Sequence, residues 1–292
     1  MSQSNKVSPE EMTPSAVRVS HCNDAASNAA SKPCSNVIVT AKYNPLTFLP
    51  LNLYEQFSRL ANVFFLIIAC LQLFTDLSPT SKVATAGPLA LILMLNMVRE
   101  LFEDSGRHKA DAEVNNRMVE VVQPDGQILE KSWRSLQLGD ICRIKQNQEF
   151  PADIVVFSSS GDQGMCYIDT CNLDGETNLK IRNSMDCTKA LDAPEKLCGL
   201  RGRLEYELPN NRLYNFTGKL VRDGQEYSVD NENVLLRGAT LRNTAWAMGQ
   251  VIYTGRESKI MMNAQKGRVK RSNIEHAANV RARPPAPRPR GA

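Results

Sequence analysis

The chain has 292 residues, of which 23% are charged, and a formal net charge of only +4. That length suits one large domain or two ordinary ones, and the near balance of charge argues against a nucleic-acid-binding protein, which would show a clustered basic face. The eight cysteines include no C-x-x-C pair and no matching histidine set, so the sequence predicts reduced thiols rather than a zinc site.

The two ends of the chain have the composition of disordered tails. Residues 1–36 are rich in Ser, Asn, Ala and Lys, and no apolar run follows their charges, so no cleavable signal peptide is expected. Residues 266–292 finish in VRARPPAPRPRGA, which mixes arginine with four prolines. A solvated Pro/Arg-rich tail is the expected structure there.

Two apolar runs lie within residues 37–110. Residues 57–75 contain a single charge, Arg59, and residues 83–98 contain none. Each run is a little shorter than the roughly 20 apolar residues that cross a bilayer core, but each has usable flanks. The turn-rich sequence DLSPTSK joins them, so we predict a transmembrane hairpin with spans at about 57–75 and 83–103. A pair of buried core helices in a soluble protein is the alternative.

The charges around this hairpin indicate its orientation. Basic residues lie at both outer ends, whereas the link between the spans has one lysine offset by one aspartate. The basic residues are Arg59 before the first span and Arg99, Arg107, His108 and Lys109 after the second. The positive-inside rule therefore predicts an integral membrane protein with both termini in the cytoplasm, in the plasma membrane or an internal membrane.

From Met118 onward the pattern changes to short strands and turns. Runs such as MVEVV, ILEKSW and DIVVFSSS alternate with turn residues, and no long helix interrupts them. Short strands at near-regular spacing are typical of a β-sandwich or jelly roll. We therefore predict a β-rich domain over residues 111–265.

An acidic tetrapeptide with one glycine, Asp174–Thr177, lies between two strand-like runs in CYIDTCNLDGETNLKIR. Asp-Gly is common hairpin-turn chemistry, so the tetrapeptide alone indicates a solvent-exposed turn. A functional interpretation depends on the rest of the chain.

Several phrases, in order, resemble the N-terminal portion of the type IV P-type ATPases, the phospholipid-translocating ATPases or flippases. They are YNPLTFLPLNLYEQFSRLANVFFL, RHKADAEVNNR, LGDI with PADIVVFSSS, LDGETNLK, NVLLRGATLRNT and VIYTGRESKIMMN, and together they cover roughly residues 36–276. LGDI and PAD are similar to signatures of P-type pumps generally, whereas DGETN is narrower, since ion-pumping relatives usually carry a TGE version. The resemblance implies an α+β membrane protein: a transmembrane hairpin plus a cytoplasmic actuator domain with a distorted jelly-roll fold.

The resemblance also implies roles for individual residues. In this family the actuator loop moves against a phosphorylated aspartate of another domain, so Glu176 would orient and deprotonate the water that hydrolyses the aspartyl phosphate. A general base of this kind contributes about 10²–10⁴-fold to a rate. Gly175 would let the backbone approach the phosphoryl group, and Asp174 and Thr177 would shape the turn. Gln72 matches the region where flippases first meet a lipid headgroup.

Other parts of the family pattern are missing from the sequence. It contains no DKTGT phosphorylation signature, no Walker-type loop and no third hydrophobic run after residue 103. We therefore expect the chain to be inactive alone, with ATP and Mg²⁺ as cofactors of the parent family that this chain does not bind by itself. The expected partners are phospholipid in a membrane and, by resemblance, a glycosylated two-span accessory subunit; nucleic acid is not expected.

Three interpretations stay open. The chain is part of an ATP-driven flippase that moves an aminophospholipid-like lipid from the outer to the cytoplasmic leaflet. Alternatively, it is a short membrane-anchored actuator-domain protein that binds or regulates a full-length pump. The third is a P-type pump of other specificity, such as a cation pump, or an unrelated membrane-tethered β domain; DGETN in place of TGE argues against the cation pump.

Overall fold

The computed structural model describes residues 17–24, 27–28, 33–75 and 85–264. Its contacts divide the chain into two units. Unit 1 comprises Met1–Ile38 and Glu113–Gln265, and unit 2 comprises Val39–Ala112 and Lys266–Ala292. The Pro/Arg-rich tail predicted for residues 266–292 lies outside the described residues.

The helices of the described chain are α1 (Phe48–Phe57), α2 (Leu60–Phe74), α3 (Ala86–Asn116), α4 (Cys171–Asp174), α5 (Pro194–Cys198) and α6 (Lys259–Asn263). The strands are β1 (Val17–His21), β2 (Met118–Val122), β3 (Ile128–Ser132), β4 (Ile141–Lys145), β5 (Asp153–Ser159), β6 (Met165–Asp169), β7 (Lys180–Asn183), β8 (Arg203–Glu207), β9 (Thr217–Arg222), β10 (Gln225–Asp230), β11 (Val234–Leu235), β12 (Thr240–Arg242) and β13 (Trp246–Tyr253).

The described residues of unit 1 form three antiparallel sheets. Six strands pair in the order β11-β5-β13-β4-β2-β3, four in the order β1-β8-β9-β10, and three in the order β12-β6-β7. The prediction of an α+β chain with a β-rich domain is confirmed. The eight cysteines, predicted to be reduced, are all free.

The largest sheet lies between two hydrophobic clusters. Along β5, Val155 and Phe157 pack in the cluster shared with the four-stranded sheet, whereas Ile154 and Val156 pack in the cluster shared with the three-stranded sheet. Successive side chains of a strand point to opposite faces, so a strand buried on both faces reads as the continuous apolar run seen here. The three sheets therefore form a layered β-rich body with the six-stranded sheet in the middle.

Three motifs that are far apart in the sequence meet at Asp153, the aspartate of PAD. Its fully buried carboxylate accepts two backbone hydrogen bonds. The amide of Arg237 donates to Oδ1 at 2.8 Å, and the amide of Lys259 donates to Oδ2 at 2.7 Å. Arg237 belongs to LLRG and Lys259 to GRESK. Burial raises the pKa of Asp153 to about 6, although the two amides and the neighbouring cations oppose that shift. PAD thus connects distant segments of unit 1.

The tail predicted over residues 1–36 is wrong for part of that range. Strand β1 pairs with β8 from Val17↔Glu207 to His21↔Arg203. Asn36 is fully buried, and its side-chain amide makes four hydrogen bonds. Its nitrogen donates to Trp133 O and Pro151 O, and its oxygen accepts from Arg237 Nη1 and the backbone amide of Gly255. A five-residue strand within a polar sequence gives little local signal, because its partner strand decides its structure. Residues 1–16, 25–26 and 29–32 of this range lie outside the described residues.

In unit 2, the short helix α1 buries polar side chains and exposes apolar ones. Asn52 and Gln56 are buried and bond to each other at 2.6 Å, whereas Leu49 and Leu51 are exposed and Tyr54 is 75% exposed. A helix of a water-soluble protein shows the opposite arrangement. The exposed apolar side chains of α1 therefore suit an apolar environment.

The predicted membrane spans are only partly covered by the structure. Among the helices of the described ranges, none is by itself long and apolar enough to cross a membrane. The pair α1 and α2 is long and apolar enough when taken together, but it bends by 95° at the break between them. The link predicted between the two spans falls within residues 76–84, outside the described part of the chain.

Candidate functional site

The acidic tetrapeptide lies where the chain leaves β6 and returns along β7. The two strands pair antiparallel, as expected for a hairpin, but the connection is longer than a two-residue turn. It begins with the single helical turn α4, which Gly175 ends with φ +76°, its amide donating to Cys171 O at 3.0 Å. Glycine adopts this left-handed conformation without strain, which explains its place after the helix. We call residues 174–180 the acidic loop.

Asp174 holds the acidic loop together. Its side chain is only 11% exposed and accepts hydrogen bonds from Lys180 Nζ at 2.5 Å, Tyr214 Oη at 2.8 Å, the Glu176 amide at 3.0 Å and Thr170 Oγ1 at 3.1 Å. Partial burial favours a higher pKa for Asp174, but these donors outweigh it and hold the pKa well below the usual range. The carboxylate is therefore ionised and fully occupied by its neighbours.

Glu176 has a different environment. Its side chain is 62% exposed, and one oxygen lies 2.9 Å from Lys180 Nζ. The same ammonium thus joins both carboxylates of the loop. Partial desolvation lowers the pKa of Lys180, but its bonds to the two carboxylates outweigh this and raise the pKa above its usual value. Of the two acidic side chains, Glu176 is the one available to another molecule or domain.

The remaining residues predicted for the site are also placed. Thr177 is exposed in the acidic loop, next to Glu176. A Cβ atom built on Gly175 would meet no described atom within 4 Å, so this side of the loop is open. Gln72 lies in α2, a helix of unit 2.

Tyr214 is a site residue that sequence reasoning missed. It lies 40 residues after Asp174 in a turn-rich stretch between β8 and β9, and nothing in the local sequence connects it with the acidic loop. Only the fold brings the two side chains together. Thr170 was missed although it lies only four residues before Asp174, because the sequence does not show that its buried hydroxyl donates to the Asp174 carboxylate.

The lowered pKa of Asp174 gives a pH-dependent stability with a definite sign. Between the usual aspartate pKa of about 4 and the lower value in the fold, the unfolded chain binds more protons, so stability rises with pH. The contribution is present above about pH 4 and is lost as the pH falls through the folded pKa. We expect urea unfolding in detergent solution to show Asp174→Asn less stable than wild type at pH 7, with a gap that narrows below pH 4.

Asp162→Asn, which neutralises an aspartate at an exposed position, serves as the control, and its free energy of unfolding at pH 7 should be close to that of wild type. A gap between wild type and Asp174→Asn that stays constant with pH would show that the hydrogen bonds do not act through the charge of Asp174.

No group of three or more His, Cys, Asp or Glu side chains within the described ranges could hold a metal ion. The chemistry available at the acidic loop is that of an exposed carboxylate beside a lysine.

Comparison with known proteins gives a consistent result. A family model described as phospholipid-translocating ATPase N-terminal matches residues 20–86. The chain is 44% identical over 250 residues to phospholipid-transporting ATPase IC of Xenopus tropicalis, a match that covers 85% of this chain and 20% of that protein. It is 43% identical over 265 residues to phospholipid-transporting ATPase 6 of Arabidopsis thaliana, covering 90% of this chain and 21% of the relative.

A third relative, phospholipid-transporting ATPase tat-1 of Caenorhabditis elegans, is 44% identical over 252 residues, covering 86% of this chain and 22% of the relative. The chain thus spans about one fifth of the length of these curated relatives.

Proposed function

The chain corresponds to the N-terminal portion of a type IV P-type ATPase, a phospholipid-translocating ATPase, and from this premise we propose that its β-rich unit is the actuator domain of an ATP-driven flippase. The enzyme would move phospholipid from the outer to the cytoplasmic leaflet. The observation that carries the proposal is the exposed Glu176, presented on a loop that Asp174 and Lys180 hold in place.

We assign the chemical step of this loop to Glu176. Hydrolysis of an aspartyl phosphate needs a water aligned with the bond to be broken and a base that takes its proton. Asp174 is a poor base because it is largely buried and occupied by four donors. Glu176 is exposed, and within the described part of the chain its carboxylate forms an ion pair with Lys180. Gly175, with no Cβ on the open side of the loop, allows a phosphoryl group to come close.

The other parts of the cycle belong to segments that this sequence does not contain. No DKTGT phosphorylation signature occurs in the 292 residues. We propose that the phosphorylated aspartate and the sites for ATP and Mg²⁺ lie in other domains of the enzyme. By the same family resemblance, a glycosylated two-span accessory subunit is the proposed partner.

Two observations support a membrane location for unit 2. Helix α1 exposes the apolar side chains of Leu49, Leu51 and Tyr54 while it buries the polar side chains of Asn52 and Gln56. The 95° bend between α1 and α2 would let one helix lie along the membrane surface while the other enters the bilayer. We therefore keep the transmembrane hairpin, with spans at about 57–75 and 83–103 and Gln72 facing the lipid path, as part of the proposal.

A sequence feature of unit 1 tests the proposed cytoplasmic orientation. Asn215, Phe216 and Thr217 form an N-x-T glycosylation acceptor, and Asn215 is exposed. We expect the chain translated with microsomes to pellet with the membranes and to stay unglycosylated at Asn215, because a cytoplasmic domain does not meet the glycosylation enzymes. A mobility shift that disappears in Asn215→Gln would place unit 1 on the luminal side and contradict the orientation.

The size of the native protein tests whether these residues act within a larger enzyme. An antibody against residues 118–265 should detect a membrane protein several-fold larger than 32.5 kDa. A native band near 32.5 kDa would instead support the short actuator-domain protein that binds or regulates a full-length pump.

A further inference from the structure

A loop of residues 208–216, between β8 and β9, brings Tyr214 to the acidic loop. Tyr214 Oη donates to Asp174 Oδ2 at 2.8 Å, and the Lys180 ammonium lies 4.9 Å from the centre of the Tyr214 ring. Asp174 accepts a hydrogen bond from the backbone amide of Glu176, and Lys180 forms an ion pair with the carboxylate of Glu176. Tyr214 therefore contacts both residues that hold Glu176.

The position of Tyr214 is fixed from inside unit 1. The side chain of Lys259 is fully buried, and its ammonium donates to Arg212 O at 3.0 Å and to Asn215 O at 2.7 Å. These two acceptors flank Tyr214 in the sequence, and two further acceptors of the same ammonium lie near the start of the loop. Although the tyrosine is 54% exposed, its backbone is held on both sides.

We infer that Tyr214 is a positioning residue for Glu176, an inference that rests on the proposed function of that carboxylate. The hydroxyl shares Asp174 Oδ2 with Lys180, which leaves the ammonium placed between Asp174 and Glu176. Without the hydroxyl, Lys180 becomes the main partner of that oxygen and is drawn away from Glu176. The Asp174 carboxylate is then free to rotate, and its hydrogen bond with the backbone amide of Glu176 weakens.

Tyr214→Phe in the full 292-residue chain tests the inference directly. We expect the amide of Glu176 to exchange with solvent deuterium about fivefold faster than in wild type, the factor that corresponds to losing one hydrogen bond of ordinary strength. We also expect the carboxyl carbon of Asp174, followed by NMR, to titrate at a higher pH, because a donor that favours its charged form is gone. A merely structural role would change the unfolding transition and leave the exchange rate of the Glu176 amide in place.

Tyr227→Phe is the matched control, since Tyr227 also donates its hydroxyl to a surface side chain, Gln225 Oε1 at 2.6 Å, in β10. Tyr214→Leu removes the ring as well as the hydroxyl, so it should speed exchange of the Glu176 amide at least as much as Tyr214→Phe does. If both Tyr214 variants match Tyr227→Phe in the exchange of Glu176 and the titration of Asp174, the positioning role is wrong.

Decay of the phosphoenzyme in the full-length ATPase separates this inference from the proposed function. Slow decay in both Glu176→Gln and Tyr214→Phe supports both. Slow decay in Glu176→Gln with wild-type decay in Tyr214→Phe refutes the positioning role alone. Wild-type decay in Glu176→Gln refutes the catalytic role of Glu176, and the exchange and titration measurements still decide whether Tyr214 orders the loop.

Discussion

Replacing Glu176 with glutamine in the full-length ATPase is expected to slow hydrolysis of the phosphoenzyme by about 10²–10⁴-fold, the usual contribution of a general base. Glutamine keeps the size of the side chain and can still bond a water, but it cannot take a proton. The side chain is 62% exposed, so the substitution should leave the fold intact. The measurement is the decay of ³²P-labelled enzyme after a chase with unlabelled ATP.

Glu226→Gln provides the control for this experiment. Glu226 lies on β10, is exposed and forms an ion pair with Lys219, much as Glu176 pairs with Lys180. Its replacement should leave the decay rate unchanged. Decay of Glu176→Gln at the wild-type rate would show that another group activates the water.

Replacing Lys259 with alanine is expected to lower the free energy of unfolding by about 3 kcal/mol, the low end of the range found when one partner of a buried ion pair is removed, because its partner Glu207 is 21% exposed. Lys259 is fully buried, and its ammonium bonds Glu207 Oε1 at 2.8 Å, Asn210 Oδ1 at 3.1 Å and two main-chain oxygens. Without the lysine, all four acceptors lose a charged donor, and the removed side chain leaves a cavity.

Urea unfolding in detergent solution, followed by fluorescence of the chain's two tryptophans, measures this loss. Lys196→Ala is the matched control, because Lys196 is half-exposed and pairs with the exposed Asp192. An exposed pair of this kind contributes little to stability, because water screens the two charges. If Lys259→Ala and Lys196→Ala lower the free energy of unfolding by the same amount, the buried ammonium does not anchor the loop of residues 208–216.

The β-rich domain could be predicted from local sequence, because strands buried on one or both faces have distinctive patterns of apolar residues. DIVVFSS in β5 reads as a continuous buried strand, and WAMGQVIY in β13 pairs on both sides, with β4 and β5. The acidic loop was also found from sequence, because two carboxylates beside a glycine in a short polar stretch stand out between apolar runs.

The features that sequence reasoning missed depend on contacts between distant residues. Strand β1 is short and polar, and it becomes a strand by pairing with β8. Asn36 looks like an ordinary tail residue, yet the fold surrounds it with four partners. Tyr214 reaches Asp174 from a loop whose backbone a buried lysine holds. Tertiary structure overrides local propensity at each of these places.

The most direct test of the central claim is to capture the native protein through residues 118–265 and incubate it with labelled ATP. We expect an acid-stable ³²P-labelled polypeptide much larger than 32.5 kDa, cleaved by hydroxylamine as an acyl phosphate is, whose decay accelerates when an aminophospholipid is added. A large polypeptide that takes up no label, or whose label decays at the same rate with and without lipid, would contradict the assignment of the chain to an active phospholipid-translocating ATPase.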